Sequence, residues 1–483
     1  MPDSLAQLLL ERAEQRPELK LGTVDNAITL RDALRVAAGG AWVLNAQGSQ
    51  SNRRVALVAN NSTDYLVAWM ACLLAGRPVA LVNPTYPSAL LATMLDNLDA
   101  DTILTDLEDR SFAGGRRVLD LSEVQTWLVD DPAASRGLTA REDDVASFMH
   151  TSGTTGIPKF CAQTHGYFLR LGRAMAAALD LNSGDRMLAP LPLFHINPMG
   201  YGIVGALTAG ADALTVSRFS ASGFWPAVKD HQISALALHS PPVEILKRAT
   251  TAEDADGHQV RTMFYADGEF MRRFEIPSAV SGYGSTEAAG VSHLHRWKLG
   301  DDIPTNASRY GGHPRDDIED RLTADGEIEV RERAPHTLFA GYFTDGRLDP
   351  ARDAEGWFAT GDLGRRDDDG GLVFLERAAE SIRVKGEFVP IPFVEEQLGA
   401  IEELEDLALW KKPGELVDDD VVLYVVAEPV PVQAIELVAA QLPGFMRPTQ
   451  IAQVKAIPRD AAAGKVQRRL LDSQEVVSWT ALG

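Results

Sequence analysis

Between His150 and Phe160 the chain reads HTSGTTGIPKF, which gathers three Thr, one Ser, two Gly and one Lys. Gly153 and Gly156 permit positive φ, so backbone N–H groups can converge on an anion. The hydroxyls of Thr151, Ser152, Thr154 and Thr155 add donors, and Lys159 adds a charge. The order G-T-T-G-x-P-K is not the G-x-x-x-x-G-K-[ST] of a Walker loop. Phosphate binding is one reading of these residues. A solvated polar turn between a strand and a helix is the other.

A second stretch, SGYGSTEAAG (Ser281–Gly290), sets Tyr283 between Gly282 and Gly284 and follows Ser285 with Thr286 and Glu287. The tyrosine offers a flat face on which a purine could stack. Thr286 offers a hydroxyl for phosphate, and Glu287 a carboxylate for Mg²⁺, a hard ion that seeks oxygen. A glycine-rich turn with a helix-capping Thr would read the same. A third stretch, GWFATGDLGRRDDDGGLVFLERAAESIRVKGE, supplies Asp362 after a Thr-Gly turn and Arg377 at a strand end. A carboxylate there could accept both hydroxyls of a ribose, although a hairpin with Asp in its turn has the same letters. Finally, PRDAAAGKVQRRLL (Pro458–Leu471) puts Lys465 just after Gly464, where an amphipathic helix is expected to open. By itself that is an ordinary basic helix start.

The chain that must position these residues has 483 of them, enough for two or more domains. Its net charge of −22 argues against nucleic acid or an anionic membrane as a non-specific partner. An anionic ligand must therefore meet local donors. The N-terminal stretch reads as an amphipathic helix, not a secretory leader. The longest apolar run, Tyr65–Gly76, is too short to span a bilayer and suits a buried helix. Cys72 and Cys161 show neither metal spacing nor a disulfide framework, which points to the cytoplasm.

From Arg54 to Thr105, apolar runs alternate with helical patterns: RVALVAN, a helix with Ser62 as N-cap, RPVALVNP, PSALLATMLDNLDA and DTILTD. Such spacing predicts parallel strands with helical crossovers. A second set follows the quoted loop: a helix over Tyr167–Leu181, the strand DRMLAPLP, a helix over Met199–Ala209, and the strands DALTVS and ISALALHS. After about Arg309 the runs are short and alternating, with Gly-Asp turns, and predict antiparallel hairpins. Beyond Arg377–Glu380 a compact α+β unit of about a hundred residues is expected.

Together and in this order, the four stretches resemble the adenylate-forming superfamily of acyl- and aryl-CoA synthetases, adenylation domains and luciferases. The acyl-CoA ligase branch is the leading reading. PLPLFHINPMG (Pro190–Gly200) and RPTQIAQVKAIPRDAAAGK extend the resemblance over nearly the whole chain. It implies a large N-terminal domain over 1–377, with mixed and parallel sheets flanked by helices plus a distorted β-barrel. A small, mobile α+β lid over 378–483 follows. It also implies that a carboxylate and ATP give acyl-AMP and pyrophosphate, after which the acyl group passes to coenzyme A.

By resemblance, Thr151–Lys159 cover the β- and γ-phosphates, Tyr283 stacks on adenine and Thr286 contacts the α-phosphate. Glu287 binds Mg²⁺, Asp362 holds the ribose with help from Arg377, and Lys465 bridges the carboxylate and the α-phosphate. His195 stands where the family places a gate between acyl and thiol sites, although it could be a hydrogen-bonded loop histidine. The acyl pocket is expected from His195, Ile196, Asn197 and Gly200, from His239 and Ser240, from Ala266, Asp267 and Gly268, and from Gly284 and Ser285. Gly386 belongs to the face that meets the pantetheine arm.

Two departures from the family pattern stand out. Ala379, followed by Glu380, occupies the hinge position where the family carries Asp or Lys, and its side chain offers no hydrogen bond. Asp267 stands where a small Gly is common, and could repel an anion, accept a substrate hydroxyl or point to solvent. The leading expectation is an acyl-CoA synthetase using ATP, Mg²⁺ and coenzyme A. The alternatives are an adenylating enzyme that hands its acyl group to a partner protein, and a catalytically silent nucleotide binder.

Overall fold

The computed structural model describes residues 2–46, 54–128, 140–151, 157–304, 307–344, 346–377, 382–384, 387–413, 419–459 and 466–482. They fall into two compact units. The first holds Met1–Pro84, Leu95–His150 and Phe160–Glu376, and the second holds Thr85–Met94, Thr151–Lys159 and Arg377–Gly483.

The first unit contains two sheets. In the eight-stranded one, Val145–Thr151, Val79–Val82, Arg54–Val58, Ala100–Thr105 and Arg117–Asp120 lie side by side and parallel. Near-continuous Val, Ala and Leu suit strands buried on both faces. The crossover helix Thr63–Ala75 is apolar all round and almost wholly buried, so it forms as core. Ser62 caps it by accepting from the Tyr65 N–H, as expected, and Gly76 ends it in the left-handed conformation at φ 67°.

The thirteen-stranded sheet changes character part-way across. Lys20–Thr23, Asp212–Thr215, Arg186–Leu188, Ala235–Ala237, Thr262–Phe264 and Ser278–Tyr283 are parallel. His293–Lys298 then pairs antiparallel with Ser278–Tyr283. The later hairpin strands continue the sheet through Tyr310–Pro314, Leu372–Arg377, Phe358–Arg366, Glu327–Glu332 and Ile318–Leu322. This antiparallel half is the part that the resemblance describes as a distorted barrel.

The helix expected over Met199–Ala209 begins earlier and wider, as a π-helical segment Asn197–Val204 that runs into the α-helix Gly205–Ala209. Glycines allow this close packing: a Cβ on Gly202 would lie 2.3 Å from the Ala189 Cβ. Wide π turns often mark functional positions.

In the second unit Asp406–Pro413, Asp419–Val426, Gln450–Val454 and Val476–Ala481 form a four-stranded sheet. The helices Ile391–Gly399 and Val432–Ala439 accompany it, an α+β composition. The amphipathic helix expected after Lys465 is instead a 3₁₀ segment, Arg468–Ser473. Its side chains are committed to neighbours: Arg468 donates to both Glu395 oxygens at 2.7 Å, and Asp472 accepts from the Trp410 indole at 2.7 Å. Tertiary ties override the helical pattern here.

His165 and His150 of the first unit are buried and neutral. His165 Nδ1 accepts the Leu5 N–H at 3.1 Å, and burial pushes its pKa down to about 4 against the pull of Asp144. Burial, with His195 adding to it, pushes His150 down to about 3. Between 6.5 and about 4 the unfolded chain takes up protons that the folded chain refuses. Stability is therefore fully present above pH 6.5 and falls as pH drops through this window. Urea unfolding at pH 7 and pH 5 should show a loss of about 1–2 kcal/mol per histidine, and His165→Gln should reduce it.

Candidate active site

The parallel strands Arg186–Leu188, Ala235–Ala237, Thr262–Phe264 and Ser278–Tyr283 end on the same edge of one sheet. The segments that follow them carry His195, His239, Ala266 and Gly284–Glu287. Carboxyl ends of parallel strands are where open α/β sheets bind ligands. One residue on this edge is strained: Tyr265 has φ 88°, a rare conformation for a bulky side chain.

Tyr283 ends the last parallel strand, and its hydroxyl donates to Asp362 Oδ2 at 2.8 Å. Both side chains are buried. Asp362 does not sit in a hairpin turn; it lies within the strand Phe358–Arg366, and the turn follows at 367–370. Glu329 pairs with Ala359, but Glu327 pairs with Leu363. Extra residues therefore bulge at 360–362, with Gly361 at φ 72°. A bulge re-aims a side chain out of strand alternation, and this one turns the Asp362 carboxylate to the Tyr283 hydroxyl.

After Tyr283 the chain turns tightly. A Cβ on Gly284 would lie 2.3 Å from the Gly290 carbonyl oxygen, so only glycine fits there. The Ser285 hydroxyl accepts from the Ala288 N–H at 3.1 Å, and the Tyr167 hydroxyl donates to the Thr286 carbonyl at 3.0 Å. The Thr286 hydroxyl has no partner among the described residues. Glu287 is buried, and its Oε1 accepts from the Tyr342 hydroxyl at 3.1 Å. No described residue donates to its second oxygen. One oriented carboxylate oxygen beside an unengaged hydroxyl suits Mg²⁺, which binds through one or two carboxylates and takes its other oxygens from phosphate and water. Among the described residues no cluster of three His, Cys, Asp or Glu could hold a metal by itself.

His195 is half-buried in an aromatic group, 4.6 Å from Phe194 and 6.4 Å from His150 between ring centroids. Asn197 opens the π segment and ties it to the sheet, donating from Nδ2 to the Leu238 carbonyl at 2.9 Å. Asn197 Oδ1 and Ser240 Oγ are buried without a partner. Asp267 does not point freely to solvent. It caps the helix Gly268–Arg273, accepting from the Phe270 N–H at 2.7 Å, and pairs with Lys247 Nζ at 3.1 Å. Burial works against the Lys247 charge, but Glu244 and Asp267 more than offset it and hold its pKa above the usual lysine value.

Thr151 ends one strand and Lys159 begins the next. Arg377 ends the strand Leu372–Arg377. Ser152, Gly153, Thr154, Thr155 and Gly156 lie outside the described residues, as do Ala379, Glu380, Gly386 and Lys465.

The AMP-binding enzyme family model matches residues 9–337. The chain belongs to that family. At the sequence level it is similar to 4-coumarate–CoA ligase 3 of Arabidopsis thaliana, 25% identical over 96% of this chain and 90% of that one. It is also similar to 2-succinylbenzoate–CoA ligase of Bacillus licheniformis, 27% identical over 78% of this chain and 80% of the relative. Among solved structures, a double mutant of o-succinylbenzoate CoA synthetase from Bacillus subtilis, bound with a product analogue, superposes with a TM-score of 0.85. That pair is 22% identical with 100% of both chains covered, a likeness of fold.

Tyr167, Tyr342 and His150 had no role assigned from the sequence. Nothing near them in the chain announces one, because each acts through a residue more than fifty positions away. The position of Asp267 within the AMP-binding fold gives a sharp test. Asp267→Ala should cost about 1–2 kcal/mol through the lost cap, read by urea unfolding, while the KM for the acid stays within about twofold.

Proposed function

We propose that this chain is an ATP-dependent acid–CoA ligase that forms an acyl-adenylate and then an acyl-CoA thioester. The observation that carries this reading is the buried Tyr283–Asp362 pair, an aromatic face with a carboxylate fixed at its hydroxyl end. Such a pair suits adenosine, with the base on the ring and the ribose hydroxyls on the acid. Membership of the AMP-binding enzyme family supports the same reading.

In the first step the acid's carboxylate oxygen attacks the α-phosphorus and pyrophosphate leaves. Both reactants are anions, so the barrier is electrostatic and positional, and fixed donors lower it. The Thr151–Lys159 stretch would hold the β- and γ-phosphates, and Thr286 the α-phosphate. Glu287 would hold Mg²⁺, which offsets phosphate charge when bound. Lys465 would stand between carboxylate and α-phosphate. In the second step the thiol of coenzyme A attacks the acyl carbon and AMP leaves. His195 would gate the passage between acyl and thiol sites.

Transfer to a partner protein instead of coenzyme A rests on Ala379 alone, which lies outside the described residues. A cytoplasmic setting fits Cys72 and Cys161, both buried and neither in a disulfide, the Cys72 thiol being pushed up to about 12 by burial. Among the described residues no helix is long and apolar enough to cross a membrane.

ATP–pyrophosphate exchange with a panel of aromatic and aliphatic acids, followed by thioester detection, tests the reading. Exchange and thioester with at least one acid are expected. Acyl-AMP without thioester would point to a partner acceptor. ATP binding with no exchange for any acid would leave only a nucleotide binder. Lys465→Ala should lower exchange by roughly a hundred- to a thousandfold.

A further inference from the structure

We propose that His293 is a positioning residue for the nucleoside site, closing with Asp320 and Arg366 a ring of contacts that holds Tyr283 and Asp362 in place. The inference rests on the nucleotide reading given above.

His293 is fully buried and lies directly across the strand pair from Tyr283, its ring edge-on to the tyrosine at 5.8 Å. Its Nδ1 lies 2.9 Å from the hydroxyl of Ser292. Ser292 in turn donates its N–H to the Tyr283 carbonyl at 2.8 Å. On its other side, His293 Nε2 lies 3.0 Å from Asp320 Oδ2, close enough to attract but out of line for a good hydrogen bond. Asp320 also takes the guanidinium of Arg366. Arg366 and Asp362 stand four residues apart on the strand Phe358–Arg366.

The contacts therefore form a circuit. It runs from the Tyr283 hydroxyl to Asp362, along one strand to Arg366, across to Asp320, and through His293 back to Tyr283. Each end of the tyrosine is tied, the hydroxyl by Asp362 and the backbone by Ser292. A fixed ring loses less freedom when a base stacks on it, which favours binding.

Ser292, His293 and Asp320 match a hydrolytic triad in composition. Ser292 and His293 are both fully buried, however, so no substrate reaches the hydroxyl. Burial lowers the His293 pKa although Asp320 opposes this, and Arg366 and His313 add to the lowering. A neutral imidazole facing a carboxylate keeps its proton on Nε2, and the one Ser292 hydroxyl proton is shared between His293 Nδ1 at 2.9 Å and the Tyr283 carbonyl at 3.2 Å. Fixing geometry is what such an arrangement can do.

His293→Phe keeps a ring beside Tyr283 and removes both nitrogens. AMP affinity, measured by calorimetry, should fall about tenfold, and the KM for ATP should rise to match. The kcat and the KM for the acid should stay within about twofold. His293→Gln, which can still reach Asp320, should restore part of the AMP affinity. Arg366→Gln leaves His293 in place and should weaken AMP in the same direction, giving a reading even where His293→Phe fails to fold. Unchanged AMP affinity in a folded His293→Phe or Arg366→Gln protein would overturn the proposal. So would a fall in kcat with no change for ATP. Failure of the unsubstituted protein to bind AMP would instead sink the nucleotide reading on which the proposal rests.

Discussion

On the proposed reading, the nucleoside site is organised around the hydrogen bond from the Tyr283 hydroxyl to the Asp362 carboxylate. A buried carboxylate is costly unless it is paired. The Tyr283 hydroxyl supplies such a partner for Asp362. In the same contact the acid fixes the angle of the ring.

That bond also joins two kinds of architecture. Tyr283 ends the last parallel strand of the large sheet, while Asp362 belongs to the antiparallel half. Parallel strands deliver loops to one edge, which explains how His195, His239, Ala266 and Thr286 come to share it. They do not by themselves deliver a carboxylate from a residue 79 positions later. The antiparallel strands do that, and the bulge at 360–362 supplies the last rotation. Gly361 permits the bulge, and Gly284 permits the close turn on the other side.

The features legible in the sequence were local ones. The Ser62 cap, the buried helix after it and the alternating strands are set by neighbours a few residues away. The glycines of the Tyr283 stretch could be read in the same way. Features set by distant partners were not legible. Whether Asp362 lies in a turn or a bulge depends on the register against Glu327–Glu332. The role of Asp267 depends on Lys247, twenty residues earlier. The 3₁₀ segment after Lys465 depends on Glu395 and Trp410, and the π segment on the packing of Gly202 against Ala189. His293 looks like any histidine in a strand until Asp320 and Arg366 are brought beside it.

The charges at the site constrain how it could act. The chain as a whole carries −22, and the two acidic residues assigned to the nucleotide, Glu287 and Asp362, are both buried. Buried carboxylates near a polyphosphate would repel it. Asp362 avoids this on the proposed reading because it meets the neutral ribose and is already held by Tyr283. Glu287 has one oxygen held by the Tyr342 hydroxyl, and no neutral ribose is assigned to it. Only a cation between acid and phosphate turns that repulsion into attraction, and a bound divalent ion reverses the local electrostatics in this way. On the proposed reading, Mg²⁺ held by Glu287 would supply that cation.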